Sequence, residues 1–118
     1  MGVRSLIALV LCLFLASACA PTIVPPGKGQ YTPMLTDDFV RTADGTMLPL
    51  RVWYGDGPIK AVVLGVHGFN DYSKSFEHPA QAWTKVGIAV YAYDQRGFGA
   101  ASHHGLWHGS KAMTGDLS

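Results

Sequence analysis

Cysteine is scarce: Cys12 and Cys19 are the only two in 118 residues, too few for the disulfide framework that supports small exported domains. Charge is thin as well, with 14% Asp, Glu, Lys and Arg and a net charge of +1. No run of Lys or Arg appears, so the basic stripe of a nucleic-acid binder is missing and nucleic acid is set aside as a partner. No apolar run reaches the roughly 20 residues that a membrane-spanning helix needs. Internal repeats are absent too. What remains is 48% hydrophobic residues with 14 Gly and 7 Pro, the composition of an ordinary globular chain with room for one domain at most.

The N-terminus has a different character from the rest. Arg4 precedes the apolar stretch Leu6 to Leu15, and Ala16-Ser17-Ala18-Cys19 follows. A charged start, an apolar middle and a small-residue end make residues 1–18 a signal peptide for export. Two cleavage readings compete. Ala16-Ser17-Ala18 satisfies the A-x-A rule and would release a secreted or periplasmic product. Ala-Ser-Ala-Cys also resembles the bacterial lipobox, with Ala16 where Leu usually stands, and cleavage there leaves a lipidated Cys19. The lipobox is favoured, because once Cys12 departs Cys19 has no disulfide partner, and acylation accounts for it better than a free exported thiol does. Several acyl chains on one cysteine would hold the protein durably at a membrane surface. Residues 19–36 then form a tether: Pro21 to Pro33 holds four prolines and two glycines, which suits neither a helix nor a central strand.

The globular part is expected over residues 37–118. Two β-like runs flank Asp44-Gly45, the signature of a β-hairpin. Leu48, Leu50, Val52 and Tyr54 share a face of the second arm, and Pro49, lacking an N–H, points that arm toward a sheet edge. Ala61 to Val66 shows no alternation, as expected of a strand covered on both faces. Ser75 to Val86 predicts a helix with Ser75 as N-cap, Phe76, Ala80 and Trp83 on one face with Val86 at its margin, and Gly87 as the stop. Ile88 to Asp94 is a second buried-type strand, so a right-handed βαβ unit follows the hairpin. Gln95 to Gly109 is loop material rich in Gly and His, and Lys111 to Ser118 begins a helix. The fold class is α/β.

Ligands of open α/β sheets gather beyond the carboxyl ends of the parallel strands. Both strand ends here carry unusual loops, His67-Gly68-Phe69-Asn70-Asp71 and Asp94-Gln95-Arg96-Gly97-Phe98-Gly99, which start about 25 residues apart. A hairpin, a buried strand ending in His-Gly-x, a helix, and a strand ending in Asp-x-Arg-Gly-x-Gly together resemble the first part of an α/β-hydrolase. The similarity is to the serine aminopeptidase (S33), lysophospholipase and monoacylglycerol lipase group. It covers residues 37–118, with one extra residue before Ser102.

The resemblance implies an incomplete α/β-hydrolase sheet and a serine hydrolase acting on carboxylic esters, of lysophospholipid or acylglycerol type, or on amides. It implies that the backbone N–H of Phe69 is one of two oxyanion donors, with His67 and Gly68 shaping the turn, Gly68 because only glycine turns tightly enough. Asp94, Arg96, Gly97 and Gly99 become structural parts of the second loop, the Asp94 carboxylate staying ionised beside the Arg96 guanidinium. His67 is a structural histidine in this pattern, the catalytic base lying downstream. Ser73, Ser75, Ser102, Ser110 and Ser118 all fail the Gly-x-Ser-x-Gly pattern of a nucleophile. Nucleophile, acid and base are therefore expected beyond residue 118, and the segment alone is expected to be inactive, with the strand Ala61 to Val66 left as an open edge. No cofactor is expected. Gly97 to Ser102 falls one residue short of a dinucleotide fingerprint and opens no helix, and His103, His104 and His108 lack the further ligands of a metal site. Expected partners are a small-molecule or lipid substrate and, through Cys19, a membrane. The alternative is a noncatalytic envelope lipoprotein or decayed hydrolase.

Overall fold

Asp44 and Gly45 close the hairpin through local chemistry. Gly45 adopts φ +83°, a conformation that costs glycine little, and the Asp44 carboxylate accepts hydrogen bonds from the Thr46 N–H (3.1 Å) and the Thr42 hydroxyl (2.6 Å). The computed structural model describes residues 2–5, 7, 10, 12 and 22–118. Cys19 and the expected cleavage site lie outside the described residues, among which no helix is long and apolar enough to cross a membrane.

Strands β2 (Phe39–Arg41) and β3 (Met47–Trp53) are the hairpin arms, and a short β1 (Met34–Leu35) pairs antiparallel with β2. Strand β4 (Ala61–Gly65) runs parallel to β5 (Ile88–Tyr93), and the five-strand order is β1-β2-β3-β5-β4. This is part of an α/β-hydrolase sheet, a hairpin leading into a βαβ unit. Leu48, Leu50, Tyr93 and Ala101 form the buried cluster, with Val40, Val52 and Tyr91 packed against it. Fully burying a side chain the size of Leu stabilises by about 1.5–3 kcal/mol, so the face carried by β3 and β5 holds the hairpin to the parallel pair.

Three sequence expectations change. Pro49 does not put β3 at an edge: β3 lies between β2 and β5. Its missing N–H falls at the end of the β3–β5 ladder, one step past the last pair, Leu50 with Tyr93, where its carbonyl still accepts the Asp94 N–H at 2.8 Å. Strand β4 is not covered on both faces, since Val62 and Leu64 are 61% and 55% exposed while Gly65 packs under the Phe76 ring. An unbroken apolar run shows that both faces can be buried; whether something covers them depends on other segments. The helix begins earlier and less regularly than its periodicity suggests, as a 3₁₀ turn Ser73–Phe76, then α1 (Glu77–Trp83), then a 3₁₀ turn Thr84–Val86. Ser75 gives it no side-chain cap and instead donates to the Tyr72 carbonyl (3.0 Å). Gly87, at φ +87°, ends it as expected. A last short helix, α2, spans Ser110–Gly115.

Candidate functional site

Both loops at the carboxyl ends of β4 and β5 meet, and His67 joins them. Its buried ring accepts the Gln95 backbone N–H at Nε2 (3.0 Å), which fixes Nδ1 as the protonated nitrogen, donating to the Gly68 carbonyl (2.9 Å). The Gln95 side-chain amide donates to the His67 carbonyl at 2.6 Å. With both nitrogens committed, His67 acts as a brace between loops and has no lone pair available for proton abstraction.

After His67 the chain makes a four-residue turn, closed by the Asp71 N–H to the Gly68 carbonyl at 3.3 Å. The left-handed residue is Asn70, at φ +60°, a residue type that tolerates that region. Gly68 is not left-handed, and a Cβ there would meet nothing within 4 Å. The expectation that Gly68 is demanded by the tight turn is thus corrected: the strain sits at Asn70, and open space adjoins Gly68. At the second turn position the Phe69 N–H makes no hydrogen bond with any described residue. The residue is 83% exposed, with its ring edge-on to Phe98 at 5.3 Å.

The Asp94 carboxylate turns back under its own loop and accepts the Ala100 N–H and the Ser73 N–H, both at 2.8 Å. It therefore caps the first turn of the helical segment from the neighbouring strand, a role the sequence assigns to Ser75. Gly99, at φ +54°, lies so close that a Cβ would overlap the carboxylate, and at Gly97, φ +80°, a Cβ would overlap the Leu106 carbonyl. These two glycines are needed for close approach as well as for backbone conformation.

Arg96 does not pair with Asp94. Its guanidinium forks onto Asp116 (2.7 Å from Nε and from Nη2) and onto Asp44 (2.7 and 2.9 Å), and also reaches the hydroxyls of Thr46 and Thr42. Buried at 4% exposure, it ties the hairpin turn, the β5 loop and α2 together. Two Asp carboxylates against one guanidinium leave the cluster with an excess negative charge. Tyr93 nearby has its hydroxyl pushed up to about 12 by burial and by Asp116. No sequence signal marks Asp44 or Asp116 as partners, since they lie 52 and 20 residues away.

The Arg96 guanidinium is the largest cause holding the Asp44 carboxyl well below the usual carboxylate range, against burial and with help from Thr42 and Thr46. At Asp94 burial pushes upward, and the hydrogen bonds from Ala100 and Ser73 outweigh it, so this group too is lowered. A carboxyl depressed in the folded state contributes stability above its unfolded value, 3.8 for Asp, and loses that contribution as pH falls through the folded value. Denaturant midpoints should therefore be insensitive to these groups above about pH 5 and decline below about pH 4. A midpoint unchanged to about pH 2.5 would contradict the network.

Among the histidines, His103 and His108 have ring centroids 5.5 Å apart, while His104 is exposed at the cleft. His108 is buried, its ring nitrogens have no partner among the described residues, and burial, then Arg96 and His103, lower its basicity. Among the described residues no group of three or more His, Cys, Asp or Glu is placed to hold a metal ion. Ser102 is exposed. Between the loops lies an open cleft of about 770 Å³, with Phe69, Asp71, Asp94, Phe98 and Trp107 among its walls.

The family model for serine aminopeptidase, S33, matches residues 57–118, just over half of the chain. The chain belongs to this family. The S33 match takes in both loops at the carboxyl ends of β4 and β5. An uncharacterized abhydrolase domain-containing protein of Dictyostelium discoideum is 38% identical over 61 residues, covering 52% of this chain and 6% of that protein. Monoacylglycerol lipase of Mycolicibacterium smegmatis is 32% identical over 74 residues, covering 63% of this chain and 24% of the lipase. An esterase from Exiguobacterium antarcticum shares the fold, with a TM-score of 0.56 and 23% identity over 70% of this chain and 29% of the esterase. The chain thus spans 6% and 24% of the length of these two curated relatives.

Proposed function

We propose that this segment is the N-terminal part of an exported serine hydrolase acting on carboxylic esters, with acylglycerol or lysophospholipid ahead of amide substrates. The observation that carries the reading is the unpaired Phe69 N–H, set in a turn at the carboxyl end of β4 and beside the cleft. In acyl transfer a nucleophile adds to the carbonyl carbon, and the carbonyl oxygen takes up negative charge in the tetrahedral intermediate. A backbone N–H fixed before reaction stabilises that charge without reorganising. The brace from His67 to Gln95 and the clamp on Asp94 keep both loops rigid, which such a donor requires. The names of the lipase and esterase relatives support an ester substrate.

Export and acylation at Cys19 belong to the same reading, and the apolar run before the cysteine supports them. The attacking group, its base and the second oxyanion donor are none of the residues described above. The coding sequence that follows Ser118 tests this: a Gly-x-Ser-x-Gly on a strand-turn-helix pattern is expected within about 40 residues. A continuation without it would remove the enzyme reading and leave a noncatalytic envelope lipoprotein.

A further inference from the structure

The proline-rich stretch that composition marks as a spacer does not stand free where it is described. Ile23 forms a parallel bridge with Trp107, and the Val24 N–H donates to the Trp107 carbonyl at 2.9 Å. Farther along, the Gly27 N–H reaches the Asp44 carboxylate (2.9 Å), and the N–H groups of Gln30 and Tyr31 share the Ala43 carbonyl (2.9 and 3.0 Å). The chain is thus fastened to the domain from Ile23 onward. Only Ala20, Pro21 and Thr22 separate Ile23 from Cys19, a distance of at most about 14 Å when fully extended. An anchor at Cys19 therefore puts a bilayer surface within that reach of the Ile23–Trp107 bridge, on the wall of the cleft.

The side chains at that place suit such a surface. Phe69, Ile23, Leu106 and Trp107 are 83%, 53%, 42% and 38% exposed, and the Phe69 and Trp107 ring centroids are 6.5 Å apart. None of the four is charged; indole is favoured at the headgroup level, and phenyl and aliphatic side chains make up the apolar face of elements that lie in the interface. Val62 and Leu64 on β4, also exposed, belong to a sheet edge whose open N–H and C=O groups call for another strand rather than lipid.

We propose that this rim seats on the lipid bilayer to which the N-terminus is attached, so that the cleft opens toward the membrane and takes its substrate from there. The inference rests on the export and anchoring reading given above. It makes the stretch from Ile23 to Tyr31 a strut that sets the orientation of the cleft.

The test uses the full chain with its native N-terminus, reconstituted into phosphatidylcholine vesicles whose acyl chains are brominated close to the headgroup. Subtracting the fluorescence of Trp107→Phe from that of the unsubstituted chain isolates Trp107, and Trp83→Phe does the same for Trp83. Helix α1 runs back from the cleft end of the sheet, so Trp83 at its last turn serves as the distant reference. Bromine should quench at least half of the Trp107 emission and little of the Trp83 emission. Equal quenching of the two, or protection of Trp107 from aqueous iodide without bromine quenching, overturns the proposal, the second outcome assigning the rim to a protein partner. Cys19→Ser separates the two readings. If that variant stays on the vesicles with Trp107 quenched, lipidation falls and the seated rim stands; if it leaves them while the unsubstituted chain shows no Trp107 quenching, the anchor stands and the rim falls.

Discussion

Arg96→Met is expected to lower the unfolding free energy by about 3–5 kcal/mol, the cost of breaking a buried ion pair by removing one partner. Met preserves much of the buried stem, so the loss comes from the charge and its hydrogen bonds. Asp44 and Asp116 would then share a buried site with no cation between them, at side-chain exposures of 6% and 4%. Against a total of about 5–15 kcal/mol for a domain this is a large fraction, and less for a small one would leave it unfolded at rest. Arg96→Lys should fall in between, because an ammonium has three donors in place of five and cannot grip both carboxylates bidentately. Asp116→Asn in the Arg96→Met background should recover part of the loss by removing one of the two unpaired charges. Urea midpoints of the chain and its variants are the measurement, and a loss under about 1 kcal/mol for Arg96→Met would mean the pairs behave as solvated surface pairs.

Phe69→Pro, made in the protein that also carries the proposed nucleophile, is expected to lower kcat for a short-chain ester by about 10²–10³-fold, the effect of deleting one oxyanion donor. Proline removes the N–H itself. The turn bond is made by Asp71 and Gly68, not by Phe69, so no hydrogen bond seen in the fold is lost. Phe69→Ala is the control: it keeps the N–H and removes an exposed ring, so kcat should be retained while KM moves. If Phe69→Pro left kcat unchanged with the variant folded, the amide would have no part in the chemistry.

Much of the scaffold was legible because its causes are local. Asp44-Gly45 makes a hairpin from a carboxylate two residues away from the groups it binds, and Gly87 ends a helix by its own left-handed backbone. The βαβ unit follows from two apolar runs with a helical period between them. That places His67, Phe69 and the Asp94 loop at one end of the sheet before any coordinates are known, because parallel strands share a carboxyl end. Where the cause is distant, the reading goes astray. Sequence proximity sets Arg96 beside Asp94, yet the guanidinium follows the geometry of the loop to carboxylates in the hairpin turn and at the end of α2. Gly68 looked like the turn glycine because glycine permits any turn, while the strained position went to Asn70.

From its own residues, then, the chain determines a hairpin, a βαβ unit and a pair of loops that must emerge side by side, since hydrophobic period, turn chemistry and strand direction act over a few residues each. Tertiary structure alone decided which buried charges meet, that Pro49 sits inside the sheet at the end of the β3–β5 ladder, that one face of β4 stays open, and that the proline-rich stretch lies against the domain. Those outcomes depend on where segments far apart in sequence come to rest, and a buried charge or an unpaired amide takes whichever partner the packing brings within about 3 Å.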